Sequence, residues 1–165
     1  MTFGSYTFDE ARTLMYQTFY TPWMDPDAGW PSILTTIPVT TPPNPLAPIV
    51  IWDDEEPADD TPTTVVEIYV TVRHATGNQA SLRGVTGVRW QRKGVCSIRM
   101  RFPPSMQLNT VDALSKVAND AFMGKRGIGA GLGIWFPRVR LVEFGRNQAR
   151  WRADVLAYFE YDEIT

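Results

Sequence analysis

Four features of this chain could do chemistry: one histidine, one cysteine, an acidic run and a glycine-rich run. His74 closes a strand-like stretch just ahead of Gly77-Asn78. A general base needs a nucleophile or carboxylate held within reach, and the local sequence offers neither, so His74 reads as an exposed or capping histidine. Cys96 falls on the apolar side of an alternating run with no histidine-centred motif nearby, which is the setting of a small core residue. A lone cysteine excludes an internal disulfide and a metal knuckle, and it suits a reducing compartment. "DDEEPADD" (residues 53–60) is rich in carboxylates. Calcium loops space their acids so that they converge, whereas a contiguous run mostly points apart, so 53–62 reads as a solvated or partner-facing acidic loop. "GIGAGLG" (residues 127–133) resembles a phosphate cradle in composition only. It follows a helix, precedes a strand and lacks the Gly-Lys-Ser/Thr ending, so 124–133 reads as a mobile glycine-rich loop with apolar tips. No catalytic, cofactor or metal constellation emerges, and the chain is expected to be no enzyme and to need no cofactor.

The remaining chemistry is charge. Residues 83–104, "RGVTGVRWQRKGVCSIRMRFPP", hold six basic residues and no acidic one. The whole chain nonetheless carries a formal net charge of −2. Residues 1–82 have two basic residues against eleven acidic ones, a net of −9; residues 83–165 have fourteen against seven, a net of +7. Nucleic-acid binders usually show basicity across the whole domain, so a basic stretch in a chain of pI about 5.4 points first to protein contacts. Opposite-sign halves make a polar molecule whose copies attract head to tail. The residues expected at such a subunit or partner interface are Asp53, Asp54, Glu55, Glu56, Asp59 and Asp60 on the acidic side. On the basic side they are Arg92, Lys93, Arg99, Arg101, Arg150 and Arg152.

Length and patterning say what must position these charges. At 165 residues, 44 % hydrophobic and 21 % charged, the chain has the balance of one globular domain over 1–165. No apolar run reaches the roughly 18 residues of a membrane span, and the N-terminus lacks a basic start before an apolar block, so neither a membrane protein nor a secreted one is expected. "TFDEARTLMYQTFYTPW" predicts an amphipathic helix with Thr7 as N-cap and Glu10 as its capping-box partner. Ala11, Leu14, Met15, Thr18 and Phe19 recur at helical spacing in it, and Pro22 is expected to stop it. Eight prolines from Pro22 to Pro48 predict an extended segment over 22–48. "APIVIW" predicts a short strand. In "VVEIYVTVR", Val66, Ile68, Val70 and Val72 alternate with polar residues, with a turn or the opening of a longer loop expected in the Gly77-Asn78 region. In the basic stretch, Cys96, Ile98, Met100 and Phe102 alternate with Val95, Ser97, Arg99 and Arg101 until Pro103-Pro104 ends the strand. A second helix is expected from Thr110 as N-cap, with Val111, Leu114, Val117, Ala118, Ala121 and Phe122 as its core stripe and Gly124 as its stop. Two strands joined at Gly145-Arg146-Asn147 close the chain, the last with Trp151, Ala153, Val155, Ala157, Phe159 and Tyr161 on one face. The fold class expected is α+β: an antiparallel or mixed β-sheet with two α-helices packed on one face and a C-terminal β-hairpin.

The order of these elements is familiar. "ARTLMYQTF" with a following Trp, the segment "IPVTTPPNPLAPIVIW", the strand "RKGVCSIRMRFPP", the helix "VDALSKVANDAF" and the closing "RWRADVLAYFEYDE" together resemble the tail-terminator family of long-tailed bacteriophages. The resemblance spans roughly residues 8–163 and rests on element order and scattered residues. "SMQLN" stands where the family often has a glycine-rich loop, and the acidic loop and "GIGAGLG" have no counterpart in it. The resemblance implies a structural virion protein, assembled in the host bacterial cytoplasm, that forms a ring, commonly of six copies. Such a ring caps the tail tube, stops its polymerisation and docks to the head connector. Its partners would be copies of itself, the tail tube protein and a head-side connector, with genomic DNA passing through the lumen. The alternatives are a head-completion or neck adaptor and, from another class, a nucleic-acid-binding protein.

Overall fold

The computed structural model describes residues 6–35, 48–53, 55, 64–79, 88–129, 133–147 and 150–164. The first element, α1 (Phe8–Trp23), starts as its sequence dictates. The Thr7 hydroxyl accepts from the Glu10 N–H at 3.3 Å while the Glu10 carboxylate accepts from the Thr7 N–H at 2.9 Å. Ala11, Met15, Phe19 and Trp23, four residues apart, are its buried stripe. Pro22 does not stop the helix before itself; it sits in the last turn, where its missing N–H removes a single bond. The Met24 N–H still reaches the Tyr20 carbonyl at 2.9 Å, and full burial of Trp23 holds the turn in place.

The segment expected to be extended over 22–48 contains a short helix, α2 (Trp30–Thr35). Asp25 prepares it: its side chain accepts from the Asp27 N–H at 2.8 Å and the Ala28 N–H at 3.3 Å. The Gly29 N–H then bonds the Asp25 carbonyl at 2.8 Å. A Cβ on Gly29 would stand 2.3 Å from the Trp23 carbonyl, so only glycine permits this approach. Pro31 falls in the first turn, where a proline costs no hydrogen bond. The residues 36–47 lie outside the described part.

Five strands form one sheet in the order β1-β2-β3-β5-β4: β1 (Ile49–Trp52), β2 (Glu67–Gln79), β3 (Arg89–Phe102), β4 (Trp135–Asn147) and β5 (Arg150–Ile164). β1 runs parallel to β2; every other pairing is antiparallel, so the sheet is mixed. Register puts the alternating apolar residues in rows. Ile98 stands opposite Val70 on one side and Val155 on the other, and Met100 opposite Ile68 and Ala153. These rows are buried against α1 and against α3 (Leu108–Asp120), whose Val111, Leu114 and Ala118 face them. The class is α+β as expected, with three helices rather than two and a C-terminal hairpin of β4 and β5.

Two turn expectations and one helix-cap expectation are corrected. Gly77-Asn78 is not a turn: β2 continues to Gln79, and the irregularity there is a register shift between His74 and Gly77. Gly145-Arg146-Asn147 is not the hairpin turn either. Gly145, at φ +66°, sits at a register shift within β4, and the ladder runs on to Asn147 opposite Arg150. Thr110 is not the cap of α3, because the helix begins two residues earlier and buries it; Gln107 holds the cap position with no side-chain hydrogen bond. The helix ends at Asp120, and Ala121 and Phe122 extend the buried stripe through the following turn ahead of Gly124, at φ +72°.

Candidate assembly interface

The sheet has a second face, away from the helices, and the charged alternates of β2, β3 and β5 lie on it. There the expected interface cations meet carboxylates of their own chain. Arg92 is the exception: opposite buried Tyr161 and 5.0 Å from the Phe8 ring of α1, it lies on the helix side, where it donates to Glu163 at 2.6 Å. On the outer face Lys93 lies 3.2 Å from Glu160. Asp154 takes Arg152 at 2.7 Å and Arg99 at 3.7 Å, while Glu67 takes Arg150 at 2.8 Å and Arg101 at 4.0 Å. Arg89 pairs with Asp162. Register explains the layout, since Arg99 stands opposite Asp154 and Arg101 opposite Glu67 across the ladder. Glu67 and Asp154 are buried, but Arg99 and Arg101 are nearly half exposed, so each of those two contacts contributes only about 0.2–1 kcal/mol. Aromatic rings hold the guanidiniums as well: Arg152 stacks 4.3 Å from the Phe144 ring centre and Arg101 lies 5.3 Å from that of Tyr69.

The acidic side is described only in part. Asp53 accepts from the Val72 N–H at 3.1 Å and pairs with Arg73. Burial works to raise its pKa, but the Arg73 guanidinium and the Val72 N–H together outweigh it and hold the carboxyl below its ordinary value. Glu55 accepts from the Trp52 N–H at 3.2 Å. Asp54, Glu56, Asp59 and Asp60 lie outside the described residues.

Sequence reasoning missed the cations that the fold leaves unmatched. Lys125, Arg126, Arg138 and Arg140 are exposed, and among the described residues no carboxylate lies within ion-pair distance of them. All four belong to the edge strand β4 or the loop that leads into it. Arg138 and Arg140 pair with Tyr158 and Leu156, which puts them on the helix-free face, with Arg138 5.5 Å from the Tyr158 ring centre. Exposed Leu141 and Phe144 stand on the same strand. The alternating "RVRLV" was a usable signal for an outward arginine pair; that β4 is an edge was not.

The other chemical candidates resolve without a reactive arrangement. His74 is half-buried rather than exposed, its Nε2 2.9 Å from the Tyr161 hydroxyl and its ring 4.3 Å from that of Phe8. Burial first, then the charges of Arg12 and Arg92, depress its pKa. Cys96 is fully buried, and that burial pushes its thiol up. A cleft of about 500 Å³ at the loop end of the sheet is lined by Arg89, Arg126, Gly127, Trp135, Pro137 and Asp162. It offers hydrogen bonds and an indole face. Among the described residues no group of histidine, cysteine and carboxylate side chains converges as a metal site, and no helix is long and apolar enough to cross a membrane.

No protein-family model matches the chain, and no curated protein matches it significantly. Among solved structures, one protein superimposes with a TM-score of 0.51 at 14 % identity, covering 91 % of this chain and 94 % of that one. A chain of the virion of a native gene transfer agent particle superimposes with a TM-score of 0.46 at 18 % identity, covering 92 % of this chain and 93 % of that one. The first is a likeness of fold; the second is looser.

Proposed function

We propose that this chain is a non-enzymatic structural protein of a phage-like virion: a tail terminator whose ring caps the tail tube, stops its growth and offers the head connector a docking surface. The observation that carries the ring is the sheet itself. Among the described residues both of its edges, β1 and β4, are unpaired, and they lie on opposite sides of the molecule. A subunit with two different open edges associates head to tail, and a head-to-tail contact that closes by rotation gives a ring. Each edge also exposes apolar side chains, Ile49 on one and Leu141 and Phe144 on the other, which a contact would remove from water. The station on the tail follows from the resemblance in element order. The paired outer face of β3 speaks against nucleic acid as the principal ligand, because its guanidiniums are already engaged by carboxylates.

Removing the gene tests the role. A tail tube presents an open interface after each addition and grows until something blocks it. Lysates lacking this protein should therefore contain overlong, headless tubes in electron micrographs. Tails of normal length beside filled heads that leak DNA would assign the chain to the neck instead.

A further inference from the structure

We propose that the β4 edge, with Lys125, Arg126, Arg138 and Arg140, receives a second copy of this chain, which presents its β1 edge and the acidic stretch that follows it. The proposal rests on the ring reading and names its contact. Charge selects the occupant. Ten other described basic side chains already have a carboxylate of their own chain within ion-pair distance, which sets these four apart. The chain's complementary charge follows the opposite edge in sequence. β1 runs directly into residues 53–60, where Asp54, Glu56, Asp59 and Asp60 follow the paired Asp53.

Backbone direction agrees with this pairing. β1 runs with β2, β3 against β2, β5 against β3 and β4 against β5. β1 and β4 are thus opposed, and a β1 edge laid along the β4 edge of a neighbour continues the sheet with an antiparallel step. On the helix-free face Ile49 of one copy, opposite its Glu67, and Phe144 of the other, beside its Arg152, supply the apolar contact, and the charges set register and orientation. A polyanion such as DNA would satisfy the cations, but it would leave Leu141 and Phe144 exposed and would meet Glu143 between them.

Charge reversal on the full chain, read by light scattering and native mass spectrometry at low salt, tests the contact. Wild type should have the mass of a ring. R138E/R140E should fall to the single-chain mass with an unchanged circular dichroism spectrum, as should D54K/E56K/D59K/D60K. A chain carrying both sets faces lysine with glutamate again and should recover the ring. If R138E/R140E keeps the wild-type mass, this contact is overturned while the ring reading stands. Failure of the natively folded combined variant to reassemble overturns it too. So does loss of binding to a DNA duplex in R138E/R140E with its mass unchanged, which would give the edge to nucleic acid. A wild type that is monomeric at every concentration overturns the ring reading and this contact with it.

Discussion

His74 shows how a residue picked out for its chemistry can serve packing instead. Its ring lies between Phe8 and Phe159 and its Nε2 meets the Tyr161 hydroxyl, so the folded state favours the neutral imidazole. The unfolded chain binds a proton near the ordinary value of 6.5, and the folded chain only below it. Stability should therefore be complete above that value and decline as pH falls through it toward the depressed folded pKa. Thermal unfolding of wild type and His74→Gln between pH 7.5 and 5.5 measures this, and wild type should lose more on acidification; parallel curves would exclude the histidine as the cause. The acids behind the basic strand make a second case. Asp154→Ala leaves Arg99 and Arg152 facing each other without their shared carboxylate, at a cost of about 1–3 kcal/mol, which at this size lowers the melting temperature by several degrees. Reversing Arg99 and Arg101 to Glu should destabilise the fold, since both new carboxylates would face buried acids. None of these partnerships was legible in the sequence, because Arg99 and Asp154 are far apart along the chain and only strand pairing makes them neighbours.

Elements whose signal is local were read well; elements set by their neighbours were not. The Thr7-Glu10 capping box and the alternation through Ile68, Ile98 and Val155 depend on residues a few places apart, and the structure has them where the pattern put them. α2 was hidden because prolines argue against helix on average, while an Asp25 side-chain turn and Gly29 settle this one locally. Gly77 and Gly145 look like turn glycines but serve register shifts inside long strands, a use that only the opposing strand defines. α3 gives a direct test of the capping rule. Gln107 occupies the extended cap position, at ψ 146°, and makes no side-chain bond to the first turn. Gln107→Asp supplies a side-chain acceptor for the first turn and a negative charge at the helix start. It should stabilise the protein by about 0.5–2 kcal/mol, whereas Thr7→Ala, which removes the box on α1, should cost a similar amount. Urea unfolding midpoints of the two variants should move in opposite directions.

At the scale of the molecule, most of the second half's positive charge is met by acids of that same half, and among the described residues Glu67 is the one first-half carboxylate paired with it. Strands β2, β3 and β5 bring arginines of the second half onto Glu67 of the first, and β5 returns acids to the basic strand. What remains for a neighbour is the difference: a row of cations at one edge and an acidic sequence beside the other. This separation predicts unequal responses to salt. Pairs held across the sheet, such as Arg150 with buried Glu67, are partly shielded from solvent ions, while Arg138 and Arg140 stand in water. Raising sodium chloride from about 0.05 M to about 1 M shortens the screening length to roughly 3 Å, which removes most attraction between exposed charges and little of the shielded pairing. The ring should dissociate toward single chains over this range, by sedimentation velocity, while the melting temperature of the chain moves by no more than about 2–4 °C, the equivalent of roughly 1 kcal/mol. A ring whose mass ignores salt would mean that Ile49 and Phe144 carry the contact alone. Melting that falls in step with dissociation would mean that the fold depends on the ring.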